Sequence, residues 1–97
     1  MPKSFFVYMM TNRPDGALYV GVTSNLIQRA WQHRTGAADG FTKRYNLHRL
    51  VWYEPHDCAE SAIRREKRLK KWPRHWKTEL IGATNPDWRD LWDDICR

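Results

Sequence analysis

Glu66 is the residue whose placement most needs a reason. It stands in a basic run: residues 64–77 hold eight Lys/Arg and no other acid. Helical periodicity puts it on the inner face of its helix with Ala59, Ala62, Ile63 and Leu69. A carboxylate where leucine would pack has three readings. It forms an i,i+4 pair with Lys70 on a solvated face, it forms a buried ion pair with a neighbouring arginine, or it holds a hard divalent cation. Mg²⁺ commonly takes a single protein carboxylate and completes its shell with water and substrate phosphate oxygens. The surrounding cations would then hold flanking phosphates. The residues alone leave all three readings open.

Tyr8 and Tyr19 are each ordinary strand aromatics when taken singly. If their strands pair so that Met10 faces Ala17, Tyr8 falls opposite Tyr19 and both phenols share one face. A free phenol, with a pKa of about 10, is a poor base at neutral pH unless a nearby cation lowers it. Arg29 and His33 lie four apart on the next predicted helix, at the border of its apolar stripe. Arg29 has the chemistry to stabilise charge on a five-coordinate phosphate, and His33 to hydrogen-bond or protonate one of its oxygens. Their bland readings are a surface arginine and a structural histidine. The histidines and cysteines lack paired zinc-site spacing, and neither a P-loop nor a dinucleotide-binding glycine pattern occurs.

The elements that must carry these groups are legible in outline. Residues 4–10 and 17–22 read as strands joined through the turn residues Pro14-Asp15-Gly16. Residues 25–34 read as a helix capped from Thr23, Ser24 or Asn25, with Leu26, Ile27, Ala30 and Trp31 as its apolar stripe and Gly36 ending it. Residues 49–54 supply a third strand, closed by Pro55. The basic helix follows, with Asp57 and Glu60 at capping-box spacing and Pro73 as its stop. Two short helices are expected, from Pro73 to Ile81 and from Pro86 to about Ile95. The second would turn Trp88, Leu91, Trp92 and Ile95 inward.

Ninety-seven residues at 41% hydrophobic content fit one domain, residues 1–97, with a core that needs no disulfide staples. Two cysteines, no signal-like start and no membrane-length apolar run point to a cytoplasmic protein. The net charge of +6 makes a polyanion the first partner to consider. The excess is a stripe, because residues 79–97 carry five acids against two bases.

Phe6-Val7-Tyr8 and Tyr19-Val20-Gly21, with tyrosines eleven residues apart, resemble the paired motifs of the GIY-YIG nuclease family. Arg29, His33 and Glu66 follow in the family's order on the predicted elements. The likeness is greatest to the short single-domain bacterial subgroup, which is similar to the N-terminal nuclease domain of the bacterial excision-repair endonuclease. Lys43-Arg44-Tyr45-Asn46, Leu50-Val51-Trp52-Tyr53-Glu54 and Asn85-Pro86-Asp87-Trp88 extend it over nearly the whole chain. One departure is Phe6, where the first motif has glycine. The resemblance implies an α+β fold, a three-stranded antiparallel sheet flanked by helices. It further implies a DNA endonuclease with one Mg²⁺ or Mn²⁺ held by Glu66. Tyr8 would be the general base, Tyr19 would orient water or phosphate, Arg29 would stabilise the transition state, and His33 would be accessory. Asn85 stands as a further family asparagine. Lys43, Arg44, Arg65, Lys67, Lys70 and Lys71 are the candidate DNA-binding cations.

Two competitors come from other classes. One is a catalytically silent nucleic-acid-binding module. The other is a partner-dependent repair domain, docked through Trp88, Trp92 and the acidic tail, or a homodimer. No appended DNA-reading module is visible in the sequence, so single-stranded or branched DNA is as reasonable a substrate as duplex.

Overall fold

The computed structural model describes residues 4–36 and 46–96. Lys43 and Arg44 lie outside the described residues. Three strands, β1 (Phe5–Thr11), β2 (Leu18–Thr23) and β3 (Arg49–His56), form an antiparallel sheet in the order β2-β1-β3. Helices α1 (Leu26–Thr35), α2 (Ala59–Lys71), α3 (Arg74–Thr84) and α4 (Trp92–Ile95) flank it. The α+β architecture is the expected one.

Strand alternation divides the core in two. Val7, Met9 and Val20 face one side, against Ala62 and Leu69 of α2, Ile81 of α3 and Trp88. Tyr8 and Met10 face the other, against Leu26 of α1, Leu47 and Leu50, with Ile95 of α4 packed on them. A bulge adjusts β3 between these layers. Met9 pairs with Trp52 and Met10 with Leu50, so Val51 is the extra residue and joins Trp52 in the first cluster.

The hairpin register differs from the expected one by two residues. Tyr8 pairs with Gly21 and Met10 with Tyr19. A shift of two preserves the face, so the tyrosines still share a side, but diagonally rather than directly opposite. The turn sets this register. Gly16 N–H donates to Arg13 O at 2.9 Å and Ala17 N–H to Asn12 Oδ1 at 3.1 Å, and Asp15 takes the left-handed region at φ 59°.

Several expected boundaries move for local reasons. β3 runs through Pro55 to His56, which an edge strand tolerates because its outer N–H groups need no ladder partner. α1 is capped by Asn25, whose side chain accepts from Gln28 N, and ends at Gly36 with φ 75°. α2 has no capping box: Cys58 occupies the cap without a side-chain bond. Pro73 does stop α2, with Trp72 extended at ψ 145°. α3 passes through Gly82 to Thr84.

The last expected helix shrinks to one turn because residues 85–91 bind β3 instead. Buried Asn85 donates through Nδ2 to Val51 O at 3.1 Å and Arg89 O at 2.8 Å, and its Oδ1 accepts from Arg89 N at 3.0 Å. Arg49 donates to Trp88 O, and Leu91 N–H to Leu50 O at 2.8 Å. Trp88 itself sits at φ 54°, which breaks any helix there. Asn85 is thus a clamp between the C-terminal segment and the sheet. Asn85→Ala is expected to destabilise the fold by about 1–3 kcal/mol through its orphaned carbonyls. A lowered urea midpoint is the measurement, and an unchanged midpoint would refute the clamp.

Candidate active site

The phase of α1 decides what faces the sheet. Leu26, Ala30 and His33, at i, i+4 and i+7, are its buried residues. Ile27 and Trp31, expected inside, are 48% and 52% exposed. The helix is rotated about its axis from the most apolar solution, and that rotation brings Arg29 and His33 against Tyr8.

There a short chain of hydrogen bonds forms. Arg29 Nε donates to Tyr8 Oη at 3.2 Å, and Tyr8 Oη lies 3.1 Å from His33 Nε2. Gln32 Oε1 accepts from Arg29 Nη1 at 3.0 Å and fixes the guanidinium. The Tyr19 ring completes the cluster, its centroid 6.2 Å from Tyr8 and 5.7 Å from His33. Burial pushes the Tyr8 phenol up to about 12, against the opposing hydrogen bond from Arg29. Burial, and then the charge of Arg29, pushes His33 down to about 4. The hydrogen bond to Tyr8 raises Arg29. At neutral pH the centre therefore holds a guanidinium, a protonated phenol and a neutral imidazole. Since the phenol oxygen accepts from Arg29, the consistent arrangement has its own proton donated to His33 Nε2. His33 Nδ1 is buried without a hydrogen-bond partner among the described residues.

Gly21 makes room for this chain. A Cβ there would lie 2.5 Å from both Cζ and Oη of Tyr8 and 2.9 Å from Tyr19 Cε1. The glycine that ends the second motif is thus a seat for the first motif's tyrosine. Sequence reasoning had no account of Gly21 or Gln32. The signal for Gln32 was its i,i+3 spacing from Arg29.

Glu66 comes from α2, which packs on β1 and β2 on the opposite sheet face. It shares the inner face with Ala62 and Leu69 and is only 7% exposed, whereas Ile63, expected inside, is 42% exposed. The carboxylate is therefore not directed to bulk solvent. Lys70 Nζ approaches Glu66 Oε1 to 2.5 Å, yet that oxygen has no partner in hydrogen-bond geometry among the described residues. The contact is one of charge at short range, off the direction a hydrogen bond requires. The same ammonium lies 5.9 Å from the Tyr19 ring centroid. Since β2 is an edge strand, Lys70 links the two faces around that edge.

The other expected cations divide. Lys67 and Lys71 are exposed on α2. Arg65 is turned onto the protein: Nε donates to Glu54 Oε1 at 3.2 Å and the guanidinium lies 5.2 Å from the Trp72 ring centre. His56 Nε2 shares that Glu54 oxygen at 2.7 Å.

A buried phenol, a half-buried guanidinium and a buried imidazole thus gather on one face of the sheet, and a buried carboxylate lies on the helix that covers the other. Residues 4–79 match the GIY-YIG catalytic domain, and the chain belongs to the GIY-YIG family, a family of endonucleases. The UPF0213 protein of Oceanobacillus iheyensis is 31% identical over 81 residues, covering 84% of this chain and 93% of the relative. A UPF0213 protein of Staphylococcus aureus is 32% identical over 78 residues, covering 80% and 94%. The solution structure of a UPF0213 protein from Bacillus halodurans superposes with a TM-score of 0.56 at 25% identity, covering 91% of this chain and 93% of that one.

Two outcomes follow from the packing and charge of this centre. Gly21→Ala is expected to displace Tyr8 and cost about 1–3 kcal/mol of stability. Urea denaturation measures it, and a neutral result would show that the Tyr8 ring can move freely. His33 binds a proton less readily folded, at about 4, than unfolded, at about 6.5. Its contribution is therefore complete above pH 6.5 and is lost as pH falls towards 4, where the unfolded chain binds more protons. The urea midpoint should fall across that window, and His33→Gln should flatten the fall. Equal pH slopes in the two proteins would rule out the buried neutral imidazole.

Proposed function

We propose that this protein is a divalent-metal-dependent endonuclease that hydrolyses DNA phosphodiester bonds, with single-stranded or branched DNA as its substrate. The observation that carries the reading is the buried Glu66 carboxylate, whose Oε1 meets the Lys70 ammonium without a directed hydrogen bond among the described residues, that ammonium in turn lying 5.9 Å from the Tyr19 ring centroid. A carboxylate oxygen so placed could serve a divalent cation in the ammonium's stead. The described residues contain no group of three or more metal-binding side chains, so the protein would contribute one carboxylate. That fits Mg²⁺, or Mn²⁺ in its place, which keeps several waters and takes the rest from phosphate. Bound there, the ion would polarise the phosphate and make water more acidic.

The chain's own residues supply the proton handling and the charge. Tyr8 Oη takes a proton from the attacking water while its own proton passes to His33 Nε2. An anionic phosphate beside Arg29 offsets that cation and so makes His33 a better acceptor than in the free protein. Arg29 donates to the oxygens that gain charge as the phosphorus becomes five-coordinate. Tyr19 orients water or phosphate from the opposite side of the cluster. Lys67, Lys70 and Lys71 on α2 attract flanking phosphates, independently of sequence. Phe6 and Tyr53 line an open groove of about 340 Å³ on the Tyr8 face, with Leu26 and Ile27. Its apolar walls suit the face of an unstacked base, which supports the single-stranded or branched substrate.

The pairing of Lys70 with Glu66 favours one other reading, a nucleic-acid-binding module without cleavage. Labelled single-strand, duplex, flap and junction DNA, incubated with Mg²⁺ or with chelator, separates the two. Glu66→Ala is expected to lower Mg²⁺-dependent cleavage by about 100-fold or more with DNA retained, and Tyr8→Phe by about 100-fold or more. Undiminished cutting by Glu66→Ala would end the metal-ligand role. Salt-sensitive retention with no products from the unaltered protein would establish the binding module.

A further inference from the structure

Lys70 has two close neighbours on opposite sides of the β2 edge: Glu66 Oε1 at 2.5 Å and the Tyr19 ring centroid at 5.9 Å. An i,i+4 pair on a solvated helix face is worth little, since water screens both charges. Here the carboxylate is buried while the ammonium is half exposed, with side-chain exposures of 10% and 53%. The lysine is thus a half-exposed counterion to a buried anion. It sits against the oxygen a second cation would need, and among the described residues no hydrogen bond in regular geometry joins the two.

We infer that Lys70 is an internal cation that competes with a divalent metal ion for Glu66, so that the free protein holds metal weakly and releases the carboxylate when a phosphate draws the ammonium away. This rests on Glu66 being the metal ligand. The geometry shows one position, in which the ammonium already lies within reach of both the carboxylate and the Tyr19 ring. Against Glu66, Lys70 neutralises a carboxylate that burial would otherwise leave uncompensated. Displaced, its ammonium stays at the rim beside Tyr19, whose ring face attracts a cation, and there it meets a phosphate oxygen. One negatively charged phosphodiester therefore both supplies ligands to the metal and removes the metal's rival. The two ligands bind cooperatively for this reason, and the coupling must be reciprocal.

The test is a titration of the folded 97-residue protein with Mn²⁺ alone, following free Mn²⁺ by electron paramagnetic resonance. The unaltered protein is compared with Lys70→Met, Glu66→Gln, the double variant and Lys77→Met. Lys77 lies on α3, and its variant loses the same unit of charge. Lys70→Met is expected to bind Mn²⁺ about tenfold more tightly than the unaltered protein. Glu66→Gln should abolish that gain in the double variant, and Lys77→Met should bind as the unaltered protein does. If Lys70→Met and the unaltered protein bind equally, and both weaken with Glu66→Gln, the competition is refuted while the ligand role survives. If Glu66→Gln changes nothing in either background, the ligand role itself fails. If Lys77→Met tightens binding as much as Lys70→Met, the effect is one of overall charge and the proposal is overturned.

Discussion

A guanidinium donating to a buried phenol oxygen at 3.2 Å is the constraint from which much of the rest follows. It requires α1 to turn its Arg29 and His33 edge to the sheet, and it requires a strand neighbour with no side chain beneath the phenol. It also sets the protonation of the cluster. Burial alone would favour a neutral phenol and a neutral imidazole, and the fixed cation reinforces the second while opposing the first. The centre so formed is electrically poised: a positive group, a proton donor and a proton acceptor lie in one chain of contacts, with no anion among them.

That poise costs packing elsewhere. Ile27 and Trp31 would stabilise the fold if they were buried, yet α1 leaves them to solvent and buries a histidine whose Nδ1 has no partner among the described residues. On α2, Ile63 is exposed while Glu66 is inside. α1 departs from its most apolar phase in favour of a polar residue, and α2 keeps its periodic phase with a carboxylate on the inner face. A fold selected for stability alone would bury Ile27 and Trp31 on the first helix and an apolar side chain at position 66 on the second.

This explains which parts of the molecule were legible in the residues. Strands β1, β2 and β3 and helix α2 follow directly from β-branched and aromatic runs, turn residues and Pro73. The inward position of Glu66 also follows from periodicity. What failed was the fine phase of α1, because apolar periodicity weighs Ile27 and Trp31 above His33 and cannot see a hydrogen-bonding partner on another element. The hairpin register failed similarly: Asn12 and Gly16 organise a connection over residues 12–17, the same length as the expected 11–16 but one residue further along, and the pairing slips by two residues. The segment after α3 was misread because its proline, acids and tryptophans look helical, while Asn85 and Trp88 commit their bonds to β3. Roles within the cluster rest on contacts between residues 21 and 25 positions apart, which no local pattern records.

The dressing of β3 has a consequence for the molecule among its own copies. The far side of an outermost strand is normally a row of unsatisfied donors and acceptors, a template on which another chain can lay a strand. Here Leu50 O is taken by Leu91 N–H, Val51 O by the Asn85 amide, and Pro55 offers no donor at all. The sheet is thereby terminated on that flank by its own C-terminal segment, so that growth into a continuous intermolecular sheet is blocked there at crowded concentrations.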